Sequence, residues 1–349
     1  MQTEIVKIGE LTPESEKILH RAAEILSAGG LVVFPTETVY GLGADATSSL
    51  AAARIYEAKN RPSDNPLIIH IADPSDAVAY AYTNEVYERL SSLFMPGPLT
   101  VILHARESIP KTTRGGLPTV AVRCPSHPVA RRLIALFGRP IAAPSANLSG
   151  SPSPTRAMHV IDDMDTRVHM IIDGGDSDFG LESTIVRIDE DGALTLLRPG
   201  AITPEDITSA GFTLRIADAV TNQLKEGEIA QSPGMKYRHY APSSPVILID
   251  GETDKVISYY KEHTTKNSAV LCYEEEFSRI RGELPFVTAY SFGKHEDAEF
   301  RAHALFSILR EADKHSHDVI YAPLPEAHGI GLALYNRMIR AAAYQIIRL

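Results

Sequence analysis

Lys59-Asn60-Arg61-Pro62-Ser63-Asp64-Asn65-Pro66 places two cations one residue apart at the expected end of a helix, followed by a loop stiffened by two prolines. Stiff polar loops display binding groups well, and these two charges could converge on one phosphate group. The same cations can instead complement the C-terminal dipole of the helix before them, so the octapeptide alone leaves both roles open. Ala142-Ala143-Pro144-Ser145-Ala146-Asn147-Leu148-Ser149-Gly150 leaves a predicted strand with small hydroxyl and amide side chains, where a ligand's oxygens could approach the backbone. An ordinary Ser/Asn loop has the same composition. Ser145 lacks the G-x-S-x-G frame of a hydrolase nucleophile. In Val122-Arg123-Cys124-Pro125-Ser126-His127, Arg123 suits a carboxylate clamp, whereas Cys124 as an activated thiol competes with the commoner role of a small buried apolar group. Leu196-Leu197-Arg198-Pro199-Gly200 likewise holds one Arg at a strand end against a Pro-Gly turn.

Other chemistries are excluded by what these residues lack. Gly41-Leu42-Gly43-Ala44-Asp45-Ala46 superficially matches a dinucleotide fingerprint, but Asp45 would set a negative charge where the pyrophosphate sits, and the helix cap comes later, at Ser48 or Ser49. A tight turn is expected there instead. No G-x-x-x-x-G-K-[ST] occurs, so a nucleotide must be held without a P-loop. Asp173-Gly174-Gly175-Asp176 is too acidic to cradle phosphate alone. Cys124 and Cys272 are far apart and form no C-x-x-C, and no H-E-x-x-H pairs two of the 13 His residues.

These residues need elements to hold them. A chain of 349 residues with 44% hydrophobic and 22% charged residues is globular and favours two domains. Leu31–Tyr40 reads as a buried strand, Leu50–Asn60 as a helix, Pro66–Ile71 as a strand and Asp76–Phe94 as a helix. Short strands follow at Leu99–Leu103, Val120–Val122, Ile141–Ala143, Met170–Ile172 and Ser183–Ile188. Helices are too few after Pro98 for an all-parallel sheet, so a mixed α/β sheet is expected. From Thr203 the periodicity weakens into a Pro/Ser-rich stretch, and a strand–helix alternation from Val246 suggests a small Rossmann-like second domain. The expected division is 1–205, a linker at 206–244, and 245–349. Leu90–Ala105 is broken by Pro96, Gly97 and Pro98, so no membrane span is expected. Met1–Glu10 lacks a secretory pattern, which points to a cytoplasmic location. A net charge of -10 disfavours a nucleic-acid binder, whose affinity would fall steeply with salt.

Eight segments together resemble the threonylcarbamoyl-AMP synthase family: Pro35–Ala46, Lys59–Ile71, Phe94–Thr100, Thr119–Pro125, Ala143–Gly150, Glu182–Arg187, Leu197–Gly200 and Ser232–Pro242. They cover the first domain and the linker, and the later Rossmann-like region makes the chain similar to the long, two-domain form rather than the single-domain YrdC form. The resemblance implies an open, twisted mixed α/β sheet with a concave basic cavity. It implies nucleotidyl transfer in which L-threonine, bicarbonate or CO2 and ATP, carrying Mg2+, give threonylcarbamoyl-AMP and pyrophosphate. The product would go to separate proteins that modify tRNA, with tRNA not bound directly. The family's basic and hydroxyl tetrad falls on Lys59, Arg61, Ser145 and Asn147. Its ATP contacts fall on Arg61, Asn65, Thr119, Ser145, Ser153, Arg198 and Tyr237 or Tyr240. Its threonine contacts fall on Thr38, His70, Arg123, Ala143 and Ser183. A carbamoyltransferase using carbamoyl phosphate is the rival reading, separated by whether ATP and bicarbonate suffice. Ser232–Pro242, too aromatic for an idle tether, is expected to fold over the cavity as a lid.

Overall fold

A computed structural model describes residues 2–224 and 240–349. The chain divides into two compact units, Met1–Ser149 with Ser153–Lys236 and Gly150–Pro152 with Tyr237–Leu349.

The first unit contains β1 (Glu4–Lys7), α1 (Pro13–Ser27), β2 (Val32–Phe34), β3 (Gly41–Asp45), α2 (Ser49–Lys59), β4 (Ile68–His70), α3 (Glu85–Phe94), β5 (Leu99–His104) and β6 (Thr119–Arg123). It continues with α4 (Pro128–Phe137), β7 (Ile141–Ala142), α5 (Ala157–Met164), β8 (Met170–Asp173), β9 (Thr184–Ile188), β10 (Leu194–Arg198), α6 (Pro204–Ser209) and β11 (Leu214–Ile216). Its strands form one mixed sheet in the order β1-β8-β2-β3-β7-β4-β6-β5-β9-β10-β11. Pairings such as β4–β6 and β5–β9 are parallel, while β5–β6 and β4–β7 are antiparallel.

The local differences from the sequence reading have physical causes. The expected strand over Leu31–Tyr40 stops at Phe34, because Pro35 has no N–H for the ladder and the Thr36 hydroxyl takes the N–H groups of Thr38 and Val39. Gly41–Asp45 is a strand rather than a tight turn. Gly43 is required there, since a Cβ would sit 2.8 Å from both Ile141 Cγ2 and Phe34 Cε1. The rejected dinucleotide fingerprint stays rejected: α2 begins beyond the glycines, with Ser48 capping through the Ala51 N–H. The expected helix over Asp76–Phe94 is a 3₁₀ segment (Pro74–Ala79) capped by Asp73, then α3 capped by Asn84.

The expected boundary at 205 also falls inside structure. α6 and β11 extend the first unit, with β11 pairing parallel to β10 through Leu194↔Leu214 and Leu196↔Ile216. Beyond them, Ala217, Ala219 and Leu224 pack on Ile68, Ile102, Ala121, Ile185 and Leu197.

The second unit contains β12 (Val246–Asp250), α7 (Thr253–His263), β13 (Ser268–Cys272), α8 (Glu274–Glu283), β14 (Thr288–Ser291), α9 (Ala298–Asp313), β15 (Val319–Pro323), α10 (Gly331–Ala341) and β16 (Ile346–Arg348). Its sheet is all parallel, in the order β14-β13-β15-β12-β16, the alternating βα architecture expected of this region. The terminal strand β16 was not anticipated. It is only three residues long and follows Ala343 and Tyr344, both at positive φ.

Candidate functional site

Burial of charge marks the site. Among the described residues of the first unit, the buried cations are Lys59, Arg61, Arg123 and Arg198, all of them expected site residues. Charged side chains are rarely buried unless partners hold them, so each position is structurally over-determined.

Two strands set the geometry. In β4 and β6 the register pairs His70 with Arg123, and across β5–β6 Arg123 faces Thr100. Paired residues share a face, so Thr100, Arg123 and His70 form one polar row across three strands. Ser183, just before β9, joins the row through a 2.8 Å hydroxyl contact with Thr100 Oγ1. Arg198, at the end of β10, donates to the Ser183 carbonyl (3.0 Å) and to its hydroxyl (3.1 Å). Ala143, following β7, donates its N–H to the Ile68 carbonyl (2.9 Å). Thr38 is fully buried in the β2–β3 loop, 2.9 Å from Thr36 Oγ1. The expected threonine residues thus gather around the C-terminal ends of β4 and β6.

Of the expected nucleotide residues, Arg198 sits in that cluster, whereas Arg61 and Asn65 precede β4 and Thr119 begins β6. Arg61 Nη2 donates to the carbonyls of Asn65 (3.2 Å) and Pro66 (3.0 Å). Extending the Ile68↔Ala121 register by two residues sets Pro66 level with Thr119. Thr119 and Arg123 share a face of β6 and stand four residues apart, about 13 Å at 3.3 Å per residue. That span suits an elongated ligand with one end near Arg61, Asn65 and Thr119 and the other near Arg123.

Lys59 closes the arrangement from α2. Its ammonium donates to the backbone carbonyls of Ser145 and Asn147 and lies 3.4 Å from Asn147 Oδ1. The Ser145 hydroxyl donates to the same Oδ1 at 2.5 Å, and Asn147 Nδ2 to the Leu148 carbonyl. Asn60 between the two cations takes a left-handed conformation (φ 52°). It sends Lys59 to the 145–147 loop and Arg61 to the 65–66 turn. Ser153 donates to Glu182 Oε1. Tyr240 packs within the second unit, stacked on Phe306 at 5.4 Å with Arg337 over its ring. Tyr237 and most of the expected lid lie outside the described residues.

Sequence reasoning passed over Glu37. It is buried, and its Oε1 accepts from Arg123 Nη2 at 2.7 Å. The available signal was that Glu37 is the one charged residue within Leu31–Tyr40. Cys124, by contrast, loses any claim as a nucleophile. It is fully buried, hydrogen-bonds the Ala72 carbonyl, and burial pushes its thiol up to about 12.

His70 is held neutral. Burial, with the positive charge of Arg123 second, lowers its pKa from 6.5 to about 3. A neutral imidazole at physiological pH offers a donor and an acceptor rather than another cation. Because the folded-state value lies below the unfolded one, His70 costs no stability above pH 6.5, and stability is lost as pH falls from there toward about 3. His70→Gln is expected to flatten that decline, measured by urea unfolding between pH 4 and 7. Identical pH dependence in the two proteins would contradict the neutral assignment.

Comparison with known proteins identifies the family. A family model described as telomere recombination, covering the Sua5, YciO and YrdC proteins, matches residues 24–200, and a model of the threonylcarbamoyl-AMP synthase C-terminal domain matches residues 202–343. The threonylcarbamoyl-AMP synthase of Pyrococcus abyssi is 45% identical over 94% of each chain, and that of Bacillus subtilis 41% identical over 94% of each. A crystal structure of P. abyssi Sua5 complexed with L-threonine superposes with a TM-score of 0.88 at 42% identity, covering 99% of this chain and 100% of that one.

Proposed function

The chain belongs to the threonylcarbamoyl-AMP synthase family in its two-domain form, and from that premise we propose that it condenses L-threonine, bicarbonate or CO2 and ATP into threonylcarbamoyl-AMP and pyrophosphate. The observation that carries this reading is the polar row of His70, Arg123 and Thr100 across β4, β6 and β5. In this reading Arg123 in that row binds the carboxylate of threonine, and Arg61, tied to the Pro66 carbonyl before β4, serves the phosphates.

The chemistry asks for little covalent help. Threonine's amine and CO2 give a carbamate whose oxygen is already anionic and can attack the α-phosphorus of ATP, expelling pyrophosphate. The protein's share is to align the two reactants and neutralise the charge that develops on the phosphates. Arg123, His70, Thr38, Ala143 and Ser183 would take threonine. Arg61, Asn65, Thr119, Ser145, Ser153 and Arg198 would take the nucleotide, with Lys59 and Asn147 fixing the 145–147 loop between them. Mg2+ would arrive on the ATP phosphates as part of the substrate. The product would pass to separate proteins that modify tRNA in the cytoplasm, so a net charge of -10 is no obstacle.

Pyrophosphate release from ATP that needs both threonine and bicarbonate tests the proposal. Release without either, or product formed from carbamoyl phosphate instead, would overturn it. Selection of the amino acid should follow its hydroxyl: serine turns over more slowly than threonine, and valine more slowly still. Valine nearly matches threonine in size but leaves buried polar partners unpaired, which costs more than a lost methyl. Competition measured as kcat/KM for the three amino acids checks the order, and equal values for valine and threonine would refute it.

A further inference from the structure

The ion pair of Arg123 with Glu37 is almost completely buried, the two side chains being 5% and 1% exposed. Stability does not explain it. Removing two charges from water offsets most of their attraction, and an apolar pair of similar size commonly serves a core as well or better. The pair is also incompletely satisfied. Among the described residues, Glu37 Oε2 and Arg123 Nε are buried without a hydrogen-bond partner, and His70 Nδ1 beside them is likewise unpartnered. Buried polar atoms are nearly always paired, so three orphans around one strand end mark a place where a further polar group belongs.

Glu37 also sits where it can govern Arg123. It comes from the β2–β3 loop, a different element from β6, and the loop is fixed on both sides: Thr36 Oγ1 is bonded to the Val39 carbonyl, and Phe179 donates its N–H to the Glu37 carbonyl. Oε1 occupies Nη2 of the guanidinium, which fixes the plane of the fork. The remaining edge of a guanidinium so held presents its donors in the geometry that a carboxylate accepts. A neutral His70 adds no competing positive charge to the row.

We propose that Glu37 is a positioning residue for amino-acid binding: by fixing the Arg123 guanidinium it orients the remaining donors toward the α-carboxylate of threonine. This deepens the proposed function and rests on its assignment of Arg123 to threonine. Glu37 acts through Arg123 and belongs with the expected threonine residues, although it was not among them.

The experiment is steady-state pyrophosphate release by the full chain, with threonine and ATP varied separately. Glu37→Gln keeps the shape and one acceptor oxygen but loses the charge. It is expected to raise the threonine KM about tenfold, the loss of one charge-assisted hydrogen bond, with a much smaller fall in kcat and no change in the ATP KM. Glu37→Asp, which restores charge one carbon short, should recover part of the loss. In an Arg123→Ala background, Glu37→Gln should cost nothing further, because the group it positions is gone. Equal rises in the threonine and ATP constants, or costs that multiply in the double variant, would overturn the inference while leaving Arg123 with threonine. If Arg123→Ala itself leaves the threonine KM unchanged, the underlying assignment fails and this inference with it. Unfolding midpoints of the Gln and Asp variants near the parent's keep the kinetic comparison free of a folding defect.

Discussion

Lys59→Ala is expected to lower the turnover of threonine- and bicarbonate-dependent pyrophosphate release about a hundredfold, close to 3 kcal/mol, the usual effect of removing one preorganised charge from a transition state. The structure gives the loss two components. Lys59 is 3% exposed at the end of α2, and its ammonium spans the carbonyls of Ser145 and Asn147. Alanine there removes a buried positive charge and also releases the backbone of the 145–147 loop, whose Ser145 hydroxyl is aligned by Asn147 Oδ1. Lys59→Arg should rescue poorly, because a planar fork cannot reproduce the radial contacts of an ammonium with two carbonyls and an amide oxygen. Arg61→Ala should fall in the same range, through loss of charge and of the tie to the 65–66 turn. Near-parental turnover in both Lys59→Ala and Arg61→Ala would remove these two cations from the chemistry.

The contrast between Lys59 and Glu37 shows what a sequence displays. Lys59 and Arg61 stand out because their cationic character, the flanking prolines and the expected helix end are all local. Arg123 at a strand end and the 143–150 loop were legible for the same reason. Their partners were not. Glu37 meets Arg123 across 86 positions and Lys59 meets Asn147 across 88, and both contacts arise from the order of strands in a mixed sheet. Periodicity reports which strands exist, not which strands become neighbours. The Asn60 turn that separates the two cations rests on one left-handed residue, a conformation that Asn tolerates but does not announce. The helix misread over Asp76–Phe94 had the right apolar spacing, yet Asp73 and Asn84 each offer a side-chain cap, and two caps divide one apolar run into two elements.

Where the first unit ends has a consequence for its stability. The packing carries the first fold beyond the expected boundary at 205, so a chain cut near residue 200 loses part of it. Such a cut removes Ile207 and Val220, both fully buried, and Phe212, which is 8% exposed beneath the Arg89 guanidinium. It also strips β11 from β10, opening the ladder at Leu194 and Leu196. Burying three such side chains contributes about 5 kcal/mol in total, a large part of the roughly 5–15 kcal/mol that holds a typical domain together. The freed β10 edge would carry unpaired N–H and C=O groups and invite association between chains. A chain ending after residue 224 should therefore unfold cooperatively with a clearly higher urea midpoint than one ending at 200, which should be marginal and prone to aggregate. Equal midpoints would mean that 201–224 merely lies on the sheet. The expected difference follows from Ala217, Ala219 and Leu224 packing on Ile68 and Ala121, the residues two positions before His70 and Arg123 on the same strands. Cutting at 200 would thus loosen the floor of the candidate site as well as the edge of the sheet.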